Sequence, residues 1–355
     1  FLPKKIEEGR PEDIRECIGC NICYTGDGLG VPIRCTQNPT MGEEWRRGWH
    51  PEFIAKKGSE SSVLVIGAGP AGLEATRALG QRGYRVTLAE ATRELGGRVT
   101  RESKLPGLSE WQRVRDYRLQ QIDVMPNVEV FRESELSVDE VLAVKADHIV
   151  FATGAAWRAD GFGRSNLHPL TTLSPDARIL TPDDVMAGHL PDGPTVIFDD
   201  DSFYMGGVIA EQVRRANVPV SLVTPENVVS AWCEYTSEQY QVQKHLLELG
   251  VEITTAHSLL AYDGREVTIS CTHTGRQQSI KADALILVTA RRPRDEVYQN
   301  LNRRVESGAQ TPFRSVRRIG DCEAPAIIAA AVHSGHRYAR ELDTESDPDV
   351  PLRLE

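Results

Sequence analysis

The sequence predicts an α/β protein with two doubly wound dinucleotide-binding-type domains, the second inserted in the first, and a cysteine-rich segment in front of them. Three observations support this prediction. A strand, a glycine-rich turn, a helix and a second strand follow one another from Val63 to Glu90. A similar pattern without the glycines runs from Thr195 to Thr224. Four of the seven cysteines lie within the short stretch that begins at Cys17.

The composition is that of an ordered chain with an acidic surface. Forty per cent of the 355 residues are hydrophobic, and 41 basic against 51 acidic residues give a formal net charge of −10. Sequence-independent nucleic-acid binding needs dense Lys and Arg, so no nucleic-acid partner is expected. No apolar run approaches the ~20 residues of a membrane-spanning helix, so no membrane span is expected. The other three cysteines are scattered, unlike those of a small secreted domain, and we expect a cytoplasmic location.

The four clustered cysteines have a spacing that is typical of an iron–sulfur site. Cys17, Cys20 and Cys23 are each separated by two residues, and eleven more residues precede Cys35. Three thiolates at that interval can wrap one side of a cubane cluster, and the distant fourth can close the cage. Structural zinc sites favour two CxxC pairs, so zinc is a second interpretation, and unligated or disulfide-bonded cysteines are a third. The spacing predicts the four ligands of a [4Fe-4S] cluster.

The stretch VLVIGAGPAGLEATRALGQRGYRVTLAE has the pattern of a phosphate-binding βαβ unit. Gly67 permits a sharp turn after the strand, Gly69 lets the backbone approach a pyrophosphate, and Gly72 lets the helix pack on the strand. Glu90 ends the second strand, where its carboxylate can accept ribose hydroxyls and disfavours a 2′-phosphate. The stretch therefore predicts a site for an adenine dinucleotide or for its ADP half.

Three further pieces follow in an order that resembles the two-dinucleotide-domain flavoproteins of the glutathione-reductase type. They are ELGGRV after the acid, HIVFATGA at the end of an apolar strand, and RRIGDCEAP after a short strand. Each piece alone is an ordinary strand-to-loop turn, but in the flavoproteins this set surrounds FAD. The cofactor-binding residues that the motifs and this resemblance imply are Gly67, Ala68, Gly69, Pro70, Ala71, Gly72, Glu90, Gly97, Arg98, Thr153, Gly154, Gly320 and Asp321.

The second strand–helix–strand pattern lacks the glycine fingerprint. Asp199, Asp200 and Asp201 stand where a pyrophosphate loop would follow the strand, and like charges there would repel a phosphate. This half is expected to bind no NAD(P)H. The later stretch ADALILVTARRP repeats the ending of ADHIVFATGA and indicates that the chain returns to the first domain. The predicted boundaries are 1–58 for the cysteine segment and linker, 59–157 plus 291–345 for the first domain, 190–290 for the second domain, and 346–355 for a tail.

A cysteine segment that is followed by a dinucleotide fold resembles the C-terminal half of the proteins of the trimethylamine dehydrogenase family. This family includes dimethylamine and histamine dehydrogenases and, more distantly, 2,4-dienoyl-CoA reductase. Nearly the whole chain is covered, and the shared phrases are FLPKKIEEGR, CIGCNIC, CTQN, GEEWRRGWHP, VLVIGAGPAGLEA, LPGLSEW, RDYR, FATGA and GDCEAP. The resemblance implies that Cys17, Cys20, Cys23 and Cys35 bind the cluster.

The resemblance also implies partners. Members of the family carry an N-terminal (β/α)8 barrel with FMN, where the substrate is oxidised, and pass electrons singly to the neighbouring cluster. This sequence has no such barrel, so either a longer polypeptide or a separate barrel subunit is expected, and the start at Phe1 favours the former. An electron-transferring flavoprotein or a similar carrier and a homo- or hetero-oligomer are implied as well. The nucleotide loop holds ADP in the amine dehydrogenases and FAD in the dienoyl reductase.

Three functions remain open at this point. The first is the electron-transfer portion of an iron–sulfur flavoprotein amine dehydrogenase that demethylates N-methylated amines or betaines, and the degenerate second loop favours it. The second is an NAD(P)H-dependent enoate reductase like 2,4-dienoyl-CoA reductase. The third is a non-catalytic scaffold whose cluster and ADP only hold subunits together. No catalytic residue is assigned, since the substrate pocket would lie in the barrel.

Several other side chains could contribute but have simpler interpretations. Arg113 occupies a position where trimethylamine dehydrogenase has an aromatic residue implicated in carrier docking, so docking is expected to differ. Trp111 and Tyr117 could assist electron exit or could equally pack at the surface or in the core. His333 and His336 lie three residues apart on a predicted helix, without metal-binding partners nearby in the sequence.

Overall fold

The computed structural model describes residues 1–57, 60–307 and 313–343. Part of the predicted linker and the whole of the tail predicted at 346–355 lie outside these residues. No helix within these ranges is both long enough and apolar enough to cross a membrane.

The described residues form strands and helices that alternate around β1 and β7, where the sequence patterns predict them, with runs of consecutive strands elsewhere. The strands are β1 (Ser62–Ile66), β2 (Arg85–Ala89), β3 (Val128–Phe131), β4 (His148–Phe151), β5 (Ala155–Trp157), β6 (Ile179–Leu180), β7 (Thr195–Asp199), β8 (Val220–Val223), β9 (Glu252–Thr254), β10 (His257–Tyr262), β11 (Glu266–Cys271), β12 (Gln277–Lys281), β13 (Ala284–Val288), β14 (Arg291–Pro293) and β15 (Ser315–Arg318). The helices are α1 (Leu2–Glu7), α2 (Ile22–Leu29), α3 (Glu44–Arg47), α4 (Pro70–Arg82), α5 (Arg98–Glu102), α6 (Gln112–Asp123), α7 (Val138–Ala143), α8 (Pro182–Met186), α9 (Tyr204–Arg215), α10 (Gln239–Glu248), α11 (Glu296–Glu306) and α12 (Ile328–Glu341).

The chain divides into two compact units. Unit 1 is formed by Phe1–Thr100, Glu110–Ala155 and Pro293–Glu355, and unit 2 by Arg101–Ser109 and Ala156–Arg292. The cysteine segment, which the sequence boundaries treat separately, is part of unit 1. The reason is a set of buried polar contacts between this segment and the helices of the unit, described below.

Unit 1 is built on a five-stranded parallel sheet with the order β15-β4-β1-β2-β3. Strand β1 is central, and Val63 faces both Val86 of β2 and His148 of β4. Strands buried on both faces need continuous apolar runs, which β1 and β4 supply. The strand order reverses between β1 and β4. In open α/β sheets, ligands bind beyond the carboxyl ends of the strands at such a reversal.

Helix α12 crosses helix α4 of the same unit at close range. A Cβ atom added to Gly335 would lie 2.1 Å from the carbonyl oxygen of Ala71 and 3.1 Å from the backbone nitrogen of Ala75. Only a glycine allows the two backbones to come this close. The sequence AVHSGHRY thus fixes where α12 packs on the first turns of α4.

Unit 2 contains a second five-stranded parallel sheet, with the order β6-β13-β7-β8-β9. Its central strand β7 and the following helix α9 correspond to the predicted stretch TVIFDDDSFYMGGVIAEQVRR. An antiparallel sheet of β10, β11 and β12 completes the unit and was not part of the sequence prediction. Its last strand, QQSIK, is largely exposed and carries little apolar alternation, so its sequence gave only a weak strand signal.

Replacing Gly335 with Ala should destabilise unit 1. The methyl group would meet the backbone of α4, and overpacking of this kind costs about 3 kcal/mol, or several degrees in melting temperature. Gly207→Ala in α9 is the matched control, because the three atoms nearest to its Cβ position belong to side chains and not to the backbone, the first of them in Val242 at 3.1 Å. Calorimetry should show a much smaller change for this control. Equal changes of melting temperature in the two variants would show that the close approach of α12 to α4 at Gly335 has no special effect on stability.

Candidate functional site

The predicted cofactor-binding residues of unit 1 gather at the carboxyl edge of its parallel sheet. The Gly67–Gly72 loop follows β1, and Glu90 follows β2. On the other side of β1, Thr153 follows β4 and Gly320 follows β15. Four strands therefore present their ends at the edge where the strand order reverses.

The three loop glycines have different structural reasons. Gly67 has a φ of +101°, and a Cβ atom there would lie 2.5 Å from the carbonyl oxygen of Ala152. A Cβ atom on Gly72 would lie 1.9 Å from the carbonyl oxygen of Gly67. Gly69 instead has no atom within 4 Å of the corresponding position. Gly67 and Gly72 are thus required by the packing of the chain itself, whereas Gly69 leaves its backbone accessible to a ligand.

Glu90 lies directly beside this loop. Its side chain is 8% exposed, and its Oε2 accepts a hydrogen bond of 2.8 Å from the backbone N–H of Ala68. Its Oε1 accepts from the backbone N–H and the hydroxyl of Thr92, at 2.9 and 2.8 Å. These three donors fix the carboxylate next to the turn at which a bound ribose would lie.

Two further loops of the site contact the glycine loop. Gly97 has a φ of +58°, and a Cβ atom there would lie 3.0 Å from the Cα atom of Gly69. Gly320 has a φ of +60°, and its Cβ position is 2.6 Å from the side chain of Ala71. The predicted glycines after β2 and β15 are thus close neighbours of the loop after β1.

The polar residues of these loops also meet. Arg98 pairs with Asp321 across 3.6 Å. The hydroxyl of Thr153 donates to the carbonyl oxygen of Arg294 and also contacts the Sγ of Cys322 at 3.1 Å. Arg98 and Asp321 keep one cation and one anion at the edge, where a pyrophosphate or a polar cofactor chain could be bound.

The four clustered cysteines are free thiols in the structure. Cys17 and Cys23 are exposed, and Cys20 and Cys35 are half-buried. The Sγ of Cys17 accepts a hydrogen bond of 3.3 Å from the N–H of Gly19, and the Sγ of Cys20 lies 3.1 Å from the hydroxyl of Thr36. Across the described ranges, no group of three or more His, Cys, Asp or Glu residues is arranged to hold a metal ion. The ligand set stays a prediction.

The surroundings of the cysteines nevertheless fit an iron–sulfur cluster. The donor set is four thiols, the softest ligands that proteins supply. Gly19 and Asn21 adopt left-handed backbone conformations between successive cysteines, with φ of +71° and +51°, and so turn the chain back on itself. The N–H of Gly19 donates to the Sγ of Cys17, and the hydroxyl of Thr36 lies within hydrogen-bonding distance of the Sγ of Cys20. Such contacts with sulfur would adjust the potential of a bound cluster.

The equivalent edge of unit 2 is filled by carboxyl groups. A Cβ atom on Gly206 would lie 2.3 Å from the carboxyl group of Asp199, and one on Gly163 would lie 2.2 Å from that of Asp200. Asp199 is fully buried and accepts a hydrogen bond of 3.0 Å from the N–H of Ser202. Its Oδ2 has no hydrogen-bond partner among the described residues.

Asp199 also corrects the physical reason expected from the sequence. Burial, with the nearby charge of Asp201, raises the pKa of Asp199 to about 8. The carboxyl group is therefore largely neutral at pH 7 and does not act by repulsion. It occupies the space at the end of β7 and the start of α9 instead. That unit 2 binds no NAD(P)H remains a prediction. Its main physical reason is now that the Asp199 carboxyl group fills the space in which the phosphates would lie.

The histidine pair of α12 is part of a buried network. His336 is 1% exposed, and its Nδ1 lies 2.8 Å from the Oε1 of Glu74. Burial lowers the pKa of His336 to about 4, so it is neutral at pH 7. His333 lies 3.3 Å from the carboxylate of Glu43. Both rings contact Trp49, with centroid distances of 5.9 and 5.2 Å. Their role in the structure is packing and hydrogen bonding.

The helix that follows the phrase LPGLSEW contacts the cysteine segment. Arg113 donates a hydrogen bond of 3.0 Å to the carbonyl oxygen of Cys17 and pairs with Glu16 at 3.2 Å. Trp111 and Tyr117 are each only 9% exposed, so both side chains are buried among the described residues. Between the two interpretations of these aromatic residues, their burial favours packing.

Sequence reasoning missed the residues that hold this segment in place. Arg118 is completely buried and donates to both the side chain and the carbonyl oxygen of Gln37, at 3.0 and 3.1 Å. The available signal was the pair of phrases CTQN and RDYR, which carry the family resemblance but contain no residue assigned to a cofactor. In the structure these two phrases are in contact.

Comparison with known proteins agrees with the fold. The pyridine nucleotide-disulphide oxidoreductase family matches residues 61–187. Dimethylamine dehydrogenase of Hyphomicrobium sp. (strain x) is 37% identical over 98% of this chain and 50% of its own length. The structure of histamine dehydrogenase from Rhizobium sp. 4-9 superposes with a TM-score of 0.95 at 50% identity, covering 98% of this chain and 54% of that one.

Other relatives extend the range of activities. The structure of 6-hydroxypseudooxynicotine amine oxidase from Pseudomonas geniculata N1 has a TM-score of 0.93 at 42% identity, covering 97% of this chain and 51% of that one. An NADH oxidase of Thermoanaerobacter brockii is 27% identical over 96% of this chain and 50% of its own length. The chain thus spans about half the length of the curated relatives it matches.

Two alanine substitutions in the glycine loop should separate folding from nucleotide binding. Gly69→Ala fits the free protein but blocks the approach of a pyrophosphate, so bound nucleotide should fall at least about tenfold with little change in melting temperature. Gly72→Ala collides with Gly67, so both quantities should fall. Nucleotide released by acid per mole of protein, measured by chromatography, tests this. Normal nucleotide content in Gly69→Ala would exclude the loop as the site.

Asp199→Asn should flatten the pH dependence of stability. The pKa of Asp199 is raised in the folded state, so its contribution is fully present below about pH 4 and is lost as pH rises through about 8. Wild-type stability should therefore fall by a few kcal/mol more than that of the variant between pH 5 and pH 8.5. Urea unfolding across this range measures the difference. Asp192→Asn, whose side chain is 87% exposed, is the control. Parallel curves for wild type and Asp199→Asn would contradict the assignment.

Proposed function

The chain corresponds to the C-terminal half of the trimethylamine, dimethylamine and histamine dehydrogenase family, and on that premise we propose that it is the electron-transfer portion of an iron–sulfur flavoprotein amine dehydrogenase. Electrons would come from FMN on an N-terminal barrel, in the same polypeptide or in a separate subunit. They would leave to an electron-transferring flavoprotein or a similar carrier. The substrates would be N-methylated amines or betaines, which are demethylated on oxidation.

One observation carries this proposal: the four cysteines and the glycine loop belong to the same compact unit. A cluster and a nucleotide held in one unit would keep a fixed separation. The second unit offers a filled edge rather than an open one. These features of the described residues support a role in receiving and passing on electrons, with one dinucleotide site in unit 1.

The surface of the cysteine segment supports a covering N-terminal half. More than half of the large hydrophobic side chains that are exposed in the described residues lie within the first 53 positions. A concentration of exposed apolar side chains in one segment is typical of an interaction surface. They are Phe1, Leu2, Ile6, Tyr24, Leu29, Val31, Ile33, Trp45 and Phe53. We infer that the barrel packs here, next to the cysteines.

Each part of unit 1 has a distinct role in the proposal. The thiolates of Cys17, Cys20, Cys23 and Cys35 hold a [4Fe-4S] cluster, which accepts and releases one electron at a time. The N–H of Gly19 donates to sulfur and so stabilises its negative charge. The Gly67–Gly72 loop and the start of α4 bind the pyrophosphate of FAD or ADP. Glu90 accepts the ribose hydroxyls.

An enoate reductase is the second candidate, because an NADH oxidase is among the relatives. Such an enzyme needs an NAD(P)H site, which in this fold would lie at the carboxyl edge of the unit 2 sheet. Asp199 and Asp200 fill that edge. The structure of unit 2 thus favours the amine dehydrogenase.

Anaerobically purified protein should contain about four iron and four sulfide per chain and should give an electron paramagnetic resonance signal on reduction. Cys20→Ser should lose most of the iron, whereas Cys271→Ser, outside the segment, should keep it. Absence of iron and sulfide from the wild type would refute the proposal.

The two candidate functions differ in the direction of electron flow. In the enzyme containing its FMN half, an amine should reduce the cluster, and NADPH should not. Reduction of the cluster by NADPH without amine would favour the reductase. Chelator-treated enzyme that lost its iron yet kept full amine-to-acceptor electron transfer would favour a scaffold role.

A further inference from the structure

Arg118 lies at the centre of a buried network that joins three parts of unit 1. Its side chain has no solvent exposure, and its Nε lies 2.9 Å from the Oε2 of Glu74 on α4. Its other nitrogens donate to the side chain and the carbonyl oxygen of Gln37 and, at 2.7 Å, to the carbonyl oxygen of Val114. One guanidinium thus connects helices α4 and α6 with the chain just after Cys35.

Gln37 carries this connection across the cysteine segment. It is 3% exposed, and its Nε2 donates a hydrogen bond of 3.0 Å to the carbonyl oxygen of Glu16. Glu16 precedes Cys17, and Gln37 is two residues after Cys35, so the amide closes the two ends of the segment. Arg15 adds a second closure, because it donates to the side chain of Asn38 at 2.8 Å.

The charges of the network suit a fixed arrangement. Burial lowers the pKa of Arg118 to about 10, so the guanidinium stays charged at neutral pH. Burial alone would raise the pKa of Glu74, but the charges of Arg77 and Arg118 hold it well below its usual range. Buried charges are costly unless their partners are in place, so this network tolerates few alternative positions.

We propose that Arg118, acting through Gln37, is a positioning residue that holds both ends of the Cys17–Cys35 segment against α4, so that its thiols are placed to bind the cluster. This inference rests on the proposed function in assigning a cluster to the thiols. The role assigned to the network is to fix the positions of the two ends of the segment, whereas the four cysteines would bind the cluster. It also joins the segment to the helix whose N-terminus begins at the glycine loop.

A set of three variants tests the proposal. Arg118→Met removes the whole connection, and Gln37→Met removes the contact with Glu16 while the ion pair of Arg118 with Glu74 is kept. Arg82→Met is the matched control, since Arg82 is also a buried arginine of unit 1 but binds carbonyl oxygens at the end of α12. Hydrogen exchange of backbone amides between positions 16 and 37, iron release to a chelator and the paramagnetic spectrum of the reduced protein are measured on each.

Gln37→Met should stay folded, with amide exchange and iron release each at least tenfold faster and with an altered spectrum. Arg118→Met should show the same changes, and Arg118→Lys should not restore the spectrum, because an ammonium lacks the fork that reaches both Glu74 and Gln37. Arg82→Met should lower the melting temperature without changing the spectrum or the exchange of the segment.

Two results would overturn the inference. One is a folded Gln37→Met with wild-type exchange and, where iron is present, a wild-type spectrum. The other is an Arg82→Met variant that changes the segment as much as Gln37→Met does, which would show a general loss of structure. If Arg118→Met fails to fold, Gln37→Met decides. If the wild type contains no iron, the proposed function fails, but amide exchange still decides whether the network positions the segment.

Discussion

The ion pair between Glu74 and Arg118 is the interaction on which the arrangement of unit 1 depends. Both side chains are fully buried, and a carboxylate removed from water needs charged or hydrogen-bonding partners on several sides. Glu74 finds them in Arg77 of its own helix, Arg118 of α6 and His336 of α12. Such a group adds little net stability compared with an apolar core, because desolvation offsets the attraction. What it contributes is a defined position for each helix that supplies a partner.

Helix α4 consequently serves two parts of the candidate site at once. Its first turn borders the glycine loop, where Gly72 lets the helix lie against the end of β1. One turn later, Glu74 enters the buried network that reaches Gln37 and the ends of the cysteine segment. Gly335 also admits α12 to the backbone of the same turns. The nucleotide edge and the cysteine segment are therefore both connected to helix α4 by close contacts.

The two parallel sheets have the same strand–turn–helix arrangement, but the carboxyl edge is open in unit 1 and filled in unit 2. In unit 1, glycines at 67 and 72 accommodate the backbone, and the position above Gly69 is empty. In unit 2, a carboxyl group lies against Gly206 at the corresponding start of a helix. A helix N-terminus favours an anion or a hydrogen-bonding oxygen, and Asp199 supplies one from within the chain. The strand–turn–helix is thus kept, while the space at the start of the helix is taken by a carboxyl group of the chain itself.

The sequence by itself determined the core strands β1, β2, β4, β7, β8 and β13 with helices α4 and α9, the glycine loop with Glu90, the cysteine spacing and the family resemblance. These are local patterns, since strand runs, helix starts and glycine turns depend on residues within a few positions of one another. Only the tertiary structure decided that Arg118 binds Gln37, 81 residues away, and that Asp199 is buried and largely neutral. It also decided that the cysteine segment belongs to unit 1. The partner of a buried charge is chosen by the packing of distant elements, and no short pattern records that choice.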